Sequence, residues 1–279
     1  MTLIALLTDF GETDGYVAAM KATILGLCPE VRLLDLTHGV RPQAIDQGAY
    51  LLGTVFPYLP SGTIVVAVVD PGVGTSRRGL AIAVPDATLI GPDNGLFSDV
   101  LARFAMAGGG DPGPPEPAQP IALPAGCRGV ELTEAAYWRP EVSSTFHGRD
   151  IFAPVAAHLA RGVPLEALGP PVSAAVRIEP AFERDGLGRI VGRVRHIDRF
   201  GNVITSIPIA ALSRRRWCVR LAGRAVEGLV RTYGEGCPGQ VQAMAGSSGH
   251  LEVAVPLGHA ASELGVAIGD PVFVEPEEA

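Results

Sequence analysis

The 279-residue chain lacks the marks of several large functional classes. It has no basic excess. The formal net charge is -7 and the isoelectric point about 5.4, so there is no electropositive footprint for nonspecific nucleic-acid binding. No apolar run is long enough to span a bilayer, which excludes a membrane helix. The start, Met1 to Leu7, is apolar but has no basic flank, and Asp9 interrupts it, so it reads as a first strand rather than a signal peptide. Cysteine is scarce. Cys28, Cys127, Cys218 and Cys237 form no CxxC, and neither they nor the histidines have metal-ligand spacing. They read as buried, reduced thiols of a cytoplasmic protein. GxGxxG, the Walker A loop, GxSxG and HExxH are all missing, which disfavours Rossmann hydride transfer, P-loop phosphoryl transfer and α/β-hydrolase chemistry.

What is present is a globular composition, 47% hydrophobic and 18% charged. Apolar runs at Leu3–Leu7, Val31–Leu36, Thr63–Val69, Leu80–Val84 and Thr88–Ile90 predict strands. Helical patterns lie between and after them, one capped by Asp14 and ending near Leu27, one capped by Asp46, and one over Leu96–Ala105. This alternation predicts an α/β domain over residues 1–176, with a mostly parallel sheet and flanking helices. A Gly/Pro-rich stretch, about 107–124, breaks the pattern and reads as a surface loop. A further helix is expected over Asp150–Ala160. Short strand candidates at Arg189–Ile197, Val203–Ile207, Cys218–Leu221, Leu229–Tyr233 and Leu251–Val255 predict a smaller all-β, barrel-like domain over 188–279.

Several segments carry chemistry. Asp70 ends the most apolar strand, and Pro71-Gly72-Val73-Gly74 separates it from Arg77 and Arg78. Loops at the carboxyl ends of parallel strands are where α/β enzymes hold ligands. Asp70 and Arg77 are open between a structural ion pair and a pair that orients water, and Arg78 reads as a solvated neighbour. Asp9, after the first strand, is either a ribose ligand or a helix cap. His147 precedes a helix start, where the dipole disfavours imidazolium; it is either a neutral member of a water network or a surface histidine in a loop. In Asp198-Arg199-Phe200-Gly201-Asn202, Phe200 could stack on a base and Asn202 read its edge, or the segment is a plain β-turn. Gly91-Pro92-Asp93-Asn94-Gly95 reads as turn chemistry, and Ser247-Ser248-Gly249-His250 as a loop able to grip a carboxylate or an amine.

Together, Thr8-Asp9-Phe10-Gly11, Val69–Gly74 with Arg77, Gly91–Gly95, Ser144–Asp150 and Asp198–Asn202 resemble, in order, the S-adenosyl-L-methionine (SAM) hydroxide adenosyltransferases, relatives of the SAM-dependent fluorinase and chlorinase. The resemblance covers nearly the whole chain. It implies cleavage of SAM by water to adenosine and L-methionine, with no metal or organic cofactor, in a cytoplasmic homotrimer with SAM at subunit interfaces. It assigns water activation to Asp70, Arg77 and His147, and substrate binding to Asp9, Asp198, Phe200, Asn202, Ser247 and Ala260. Two positions depart from the family pattern: Gly246 and His259 stand where asparagine is usual. The chemistry suits the residues. A sulfonium leaves as a neutral thioether and needs no general acid, so the demand is an oriented water in line with the C5′–S bond. A halogenase-like enzyme and a non-catalytic SAM or adenosine binder are the alternatives.

Overall fold

A computed structural model of the chain describes residues 2–106, 119–178, 182–186, 188–212 and 217–276. It divides after Ile178 into two compact units. In the first, strands β1 (Leu3–Thr8), β2 (Arg32–Thr37) and β3 (Thr63–Val68) alternate with helices α1 (Tyr16–Leu27) and α2 (Ile45–Val55). A hairpin of β4 (Gly79–Val84) and β5 (Ala87–Pro92) follows, then α3 (Ser98–Met106), β6 (Gln119–Ala122) and β7 (Arg128–Glu131). The unit closes with α4 (Ala153–Ala160), β8 (Pro171–Val172) and β9 (Ala174–Arg177). Seven strands form one sheet in the order β2-β1-β3-β5-β4-β7-β8. The first four are parallel, and β4, β7 and β8 extend the sheet antiparallel.

β3 is buried at every position, as its β-branched run requires of a strand covered on both faces. Its side chains alternate. Ile64, Val66 and Val68 join Ile4 and Leu6 in a core with Met20 of α1 and Val155 of α4. Val65, Ala67 and Val69 join Ala5 and Leu7 in a core with Leu52 of α2 and Leu101 of α3. Each large aliphatic side chain so buried stabilises the unit by about 1.5–3 kcal/mol. Because β1 lies between β2 and β3, the sheet has a switch point at the carboxyl ends of β1 and β3, where a crevice opens. Thr8 pairs with Val68 in register, so Asp9 and Asp70 leave neighbouring strands close to one level.

Some local expectations are corrected. Asp14 does not cap α1, which starts after Gly15 with no side-chain cap. Asp46 lies in the first turn of α2, where the helix dipole favours a carboxylate, and Ala44 holds the cap position. The helix expected from Asp150 opens with a π-helical turn, Gly148–Phe152, ahead of α4. The four cysteines are free, but none is fully buried and Cys237 is exposed. Most of the expected loop lies outside the described residues, and its last part contains β6.

The second unit is antiparallel. It comprises β10 (Glu183–Arg184), β11 (Ile190–Ile197), β12 (Val203–Pro208), β13 (Trp217–Leu221), β14 (Arg224–Glu227), β15 (Gln242–Ala245), β16 (His250–Ala254), the short helix α5 (Ala260–Leu264) and β17 (Pro271–Pro276). The sheet runs β14-β13-β17-β11-β12-β16-β15, with β10 on β11. A Val230–Met244 bridge draws its two ends together, which gives the barrel-like form. Inward residues such as Val194, Val203, Val219, Leu251 and Val272 make its core. The strand expected over Leu229–Tyr233 is absent apart from that bridge. Glu235 accepts from the Arg231 backbone N–H and from its guanidinium, both at 2.7 Å, and this folds the chain into a 3-10 turn over Tyr233–Glu235. Among the described residues no helix is long and apolar enough to cross a membrane.

Candidate active site

Asp70 leaves β3 at the switch point, and the glycine turn returns the chain so that Arg77 faces it. Arg77 Nε donates to both Asp70 oxygens, at 2.9 and 3.0 Å, and its Nη2 also donates to Oδ2. The side chains are nearly buried, 12% and 5% exposed, so solvent screens the pair little. The same Nη2 lies 2.9 Å from His147 Nδ1. A guanidinium can only donate, so Nδ1 accepts and a neutral imidazole carries its proton on Nε2. Burial lowers the His147 pKa, and the Arg77 charge lowers it further against the pull of Asp70 and Asp150. Burial and the Arg77 charge thus both favour the neutral ring. Arg77 also lies over the Phe152 ring, 5.3 Å from its centroid.

The loops around this clasp are fixed from outside. Asn94 Nδ2 donates to the Val69 carbonyl at 2.8 Å, which pins the end of β3. Asp150, fully buried, accepts from Arg139, from Arg149 through Nε and Nη2, and from the Ser143 N–H, at 2.7–3.1 Å. This staples the segment that carries His147. Gly74 has φ +77°, and a Cβ there would stand 2.3 Å from the Ser144 carbonyl oxygen, so only glycine lets the two loops approach. Gly74→Ala is expected to part them and lower kcat/KM about 10²-fold, as displacements near 1 Å do. Steady-state kinetics beside a thermal melt checks this, and a fully active variant would show that the close approach is not needed.

Asp9, Asp70 and His147 line one cavity of about 410 Å³ with Phe10, Tyr16 and Phe146. The three rings pack edge to face or tilted, with centroids 5.3–5.8 Å apart. Asp9 is not a helix cap: its Oδ2 accepts from the Gln43 N–H at 2.8 Å. A larger depression, about 550 Å³, is lined by residues of α1 and α4 with Trp138, Arg139 and His158. It contains none of the three linked residues, so the smaller cavity is the candidate site. Arg78 is not a solvated neighbour. It donates to buried Asp93 at 2.5 and 2.9 Å and to the Ala174 carbonyl at 3.1 Å, so the geometry separates the two arginines.

A second group lies within the C-terminal unit. Asp198 Oδ1 accepts from the Phe200 and Asn202 N–H groups, both at 2.9 Å, and Oδ2 accepts from Asn202 Nδ2 at 2.9 Å. The carboxylate thus builds the turn, and Phe200 projects from it, 75% exposed. Gly201 has φ +85°, and its missing Cβ would overlap the His259 ring. The Gly201 carbonyl accepts from the Ala261 N–H at 3.0 Å, which brings Ala260 beside the turn; buried Ala260 offers only backbone groups. His259 caps α5 by accepting from the Ser262 N–H at 3.2 Å. Ser247 is exposed in the turn between β15 and β16. Its neighbour Ser248 has a buried hydroxyl with no partner among the described residues.

A profile described as the SAM hydroxide adenosyltransferase N-terminal domain matches residues 4–169, and one for the C-terminal domain of the same family matches residues 192–273. The chain belongs to this family. It is 41% identical to a Thermus thermophilus protein named (R)-S-adenosyl-L-methionine hydrolase, over 98% of this chain and 99% of that one. A Nocardia brasiliensis fluorinase is 28% identical over 74% of this chain and 71% of its own. A crystal structure of an uncharacterized conserved protein from Thermotoga maritima superposes with a TM-score of 0.81 at 30% identity, covering 97% of this chain and 99% of that one.

For this family member, sequence reasoning brought out Asp70, Arg77 and His147, which the structure links directly, and Asp9, which shares a cavity with Asp70 and His147. It missed the aromatic wall of Phe10, Tyr16 and Phe146, which no local pattern announces because the three meet only in the fold. Among the described residues no group of three or more His, Cys, Asp or Glu could hold a metal ion.

Proposed function

We propose that the protein hydrolyses SAM, as the (R)-sulfonium epimer in its relatives' name, to adenosine and L-methionine. The observation that carries this reading is the Arg77 clasp, one guanidinium bonded to both Asp70 and His147 beside a cavity. Water attacks C5′, a C5′–O bond forms, and the C5′–S pair leaves with methionine sulfur as a neutral thioether. The attacking oxygen loses one of its two protons to a base and keeps the other as the 5′-hydroxyl of adenosine. Neutral His147 offers its Nε2–H to orient the water, Asp70 accepts a proton, and Arg77 stabilises hydroxide character as it develops. Asp9 binds the ribose diol. Phe200 and Asn202 read the base, and Asp198, Ser247 and backbone at Ala260 complete the grip on adenine and methionine.

Incubation with an epimeric SAM mixture, followed by chromatography with and without halide salts, tests the reaction. Adenosine and methionine should appear, with (R)-SAM consumed first. A 5′-halo product would indicate a halogenase, and no product a binding protein. We further propose a cytoplasmic homotrimer. Light scattering that finds an active monomer near 29.0 kDa would reject the assembly.

Since the neutral imidazole is the working form, activity should fall as pH falls and His147 takes up a proton. The acid limb should lie below the ordinary imidazole range, because burial and Arg77 lower this pKa. A pH–rate profile flat through neutrality and falling on the acid side is expected. A rate that rises on acidification would contradict it.

A further inference from the structure

Tyr233 and Glu252 have no part in the roles assigned so far. Tyr233 opens the turn that Arg231 and Glu235 close, and buried Gln242 donates to its carbonyl at 3.3 Å. From this fastened turn the phenol hydroxyl donates to Glu252 on β16 and accepts from Asn202 Nδ2 at 3.5 Å. The other Nδ2 proton goes to Asp198 Oδ2 at 2.9 Å. The opposite amide orientation would set Asn202 Oδ1 against a carboxylate. The amide therefore stands one way, with both N–H groups committed inside the protein and Oδ1 left as the acceptor.

Glu252 is held as firmly. It is 6% exposed, and a Cβ at Gly246 would stand 2.7 Å from its Oε2. Its carboxylate occupies the space a side chain at 246 would take, so Gly246 and Glu252 belong together. Burial and the neighbouring Glu252 raise the Tyr233 pKa, which keeps the phenol a donor.

We infer that Tyr233 and Glu252 are positioning residues for base recognition, locking Asn202 to present a lone acceptor that selects a 6-aminopurine over a 6-oxopurine. This rests on the reading that the Asp198–Asn202 turn holds the adenosyl base. A 6-amino group donates to Oδ1, whereas a 6-oxo group opposes one acceptor to another. Sites built around a buried hydrogen bond reject the analogue lacking it by 10⁴–10⁵. Asn202 is half-buried, so about 10²-fold is expected here.

The test compares adenosine with inosine by calorimetry, and SAM with S-inosyl-L-methionine by kcat/KM, in wild type, Tyr233→Phe, Glu252→Leu and Glu252→Gln. Wild type should favour the adenine compound of each pair. Tyr233→Phe and Glu252→Leu should cut the ratio about tenfold. Glu252→Gln should keep it, because its amide oxygen still accepts from the phenol. A merely structural role would weaken both nucleosides alike and leave the ratio unmoved. A wild-type ratio near one, or an unchanged ratio in the near-isosteric Tyr233→Phe, overturns the inference. Selective adenosine binding without SAM cleavage, lost in Tyr233→Phe, would sustain the inference and remove the hydrolase reading. SAM cleavage with an unchanged ratio in Tyr233→Phe would do the reverse.

Discussion

Arg77→Ala is expected to lower kcat for SAM hydrolysis by about 10²–10⁴-fold, the range for general acid–base groups. Among the described residues Arg77 is the one side chain bonded to both Asp70 and His147, so its loss undoes both partners. His147 loses the donor that fixes its tautomer and the charge that helps keep it neutral. Asp70, almost buried, is left without its cation. Adenosine affinity should change far less, because ribose and base are assigned to Asp9, Phe200 and Asn202. Asp70→Ala and His147→Ala should each fall in the same range, and the double variant little further, since the three act as a unit. Asp9→Ala should do the opposite and chiefly weaken binding. Near-normal turnover in Arg77→Ala would reduce the clasp to a structural ion pair.

Asp150→Ala is expected to have the largest effect on stability. Its carboxylate is fully buried and accepts from two arginines and one backbone N–H. Removing it leaves the Ser143 N–H and two half-exposed guanidinium groups without their acceptor, at a cost of about 3 kcal/mol. For a unit of this size the midpoint should drop by roughly 6–12 °C. Activity should fall with it, because the same staple holds the segment that ends in His147. Calorimetric melts of wild type and variant check this. An unchanged midpoint would mean that water replaces the carboxylate at no cost.

The parallel half of the first sheet was legible because its strands are buried on both faces and read as continuous apolar runs, as Thr63–Val68 does. Asp70 and Asp9 were legible because each ends such a run. Arg77 could be paired with Asp70 on spacing, but nothing in the spacing set it apart from Arg78. That distinction came from Asp93, which claims Arg78 across the fold. The β unit was less legible. Its strands are short and half-polar, so β14, β15 and β17 left weak alternation, and a turn held by Arg231 and Glu235 passed for a strand. The caps at Asp14 and Asp46 failed because helix starts admit several neighbouring positions and tertiary packing chose among them. The Asn202–Tyr233–Glu252 chain joins three separate elements, and no local pattern could have found it.

The central claim is that water attacks C5′ of SAM beside Asp70, Arg77 and His147. The most direct test is turnover of (R)-SAM in oxygen-18 water, with mass spectrometry of both products. The account predicts one labelled oxygen in adenosine, at the 5′-hydroxyl, and unlabelled methionine. Unlabelled adenosine would contradict it.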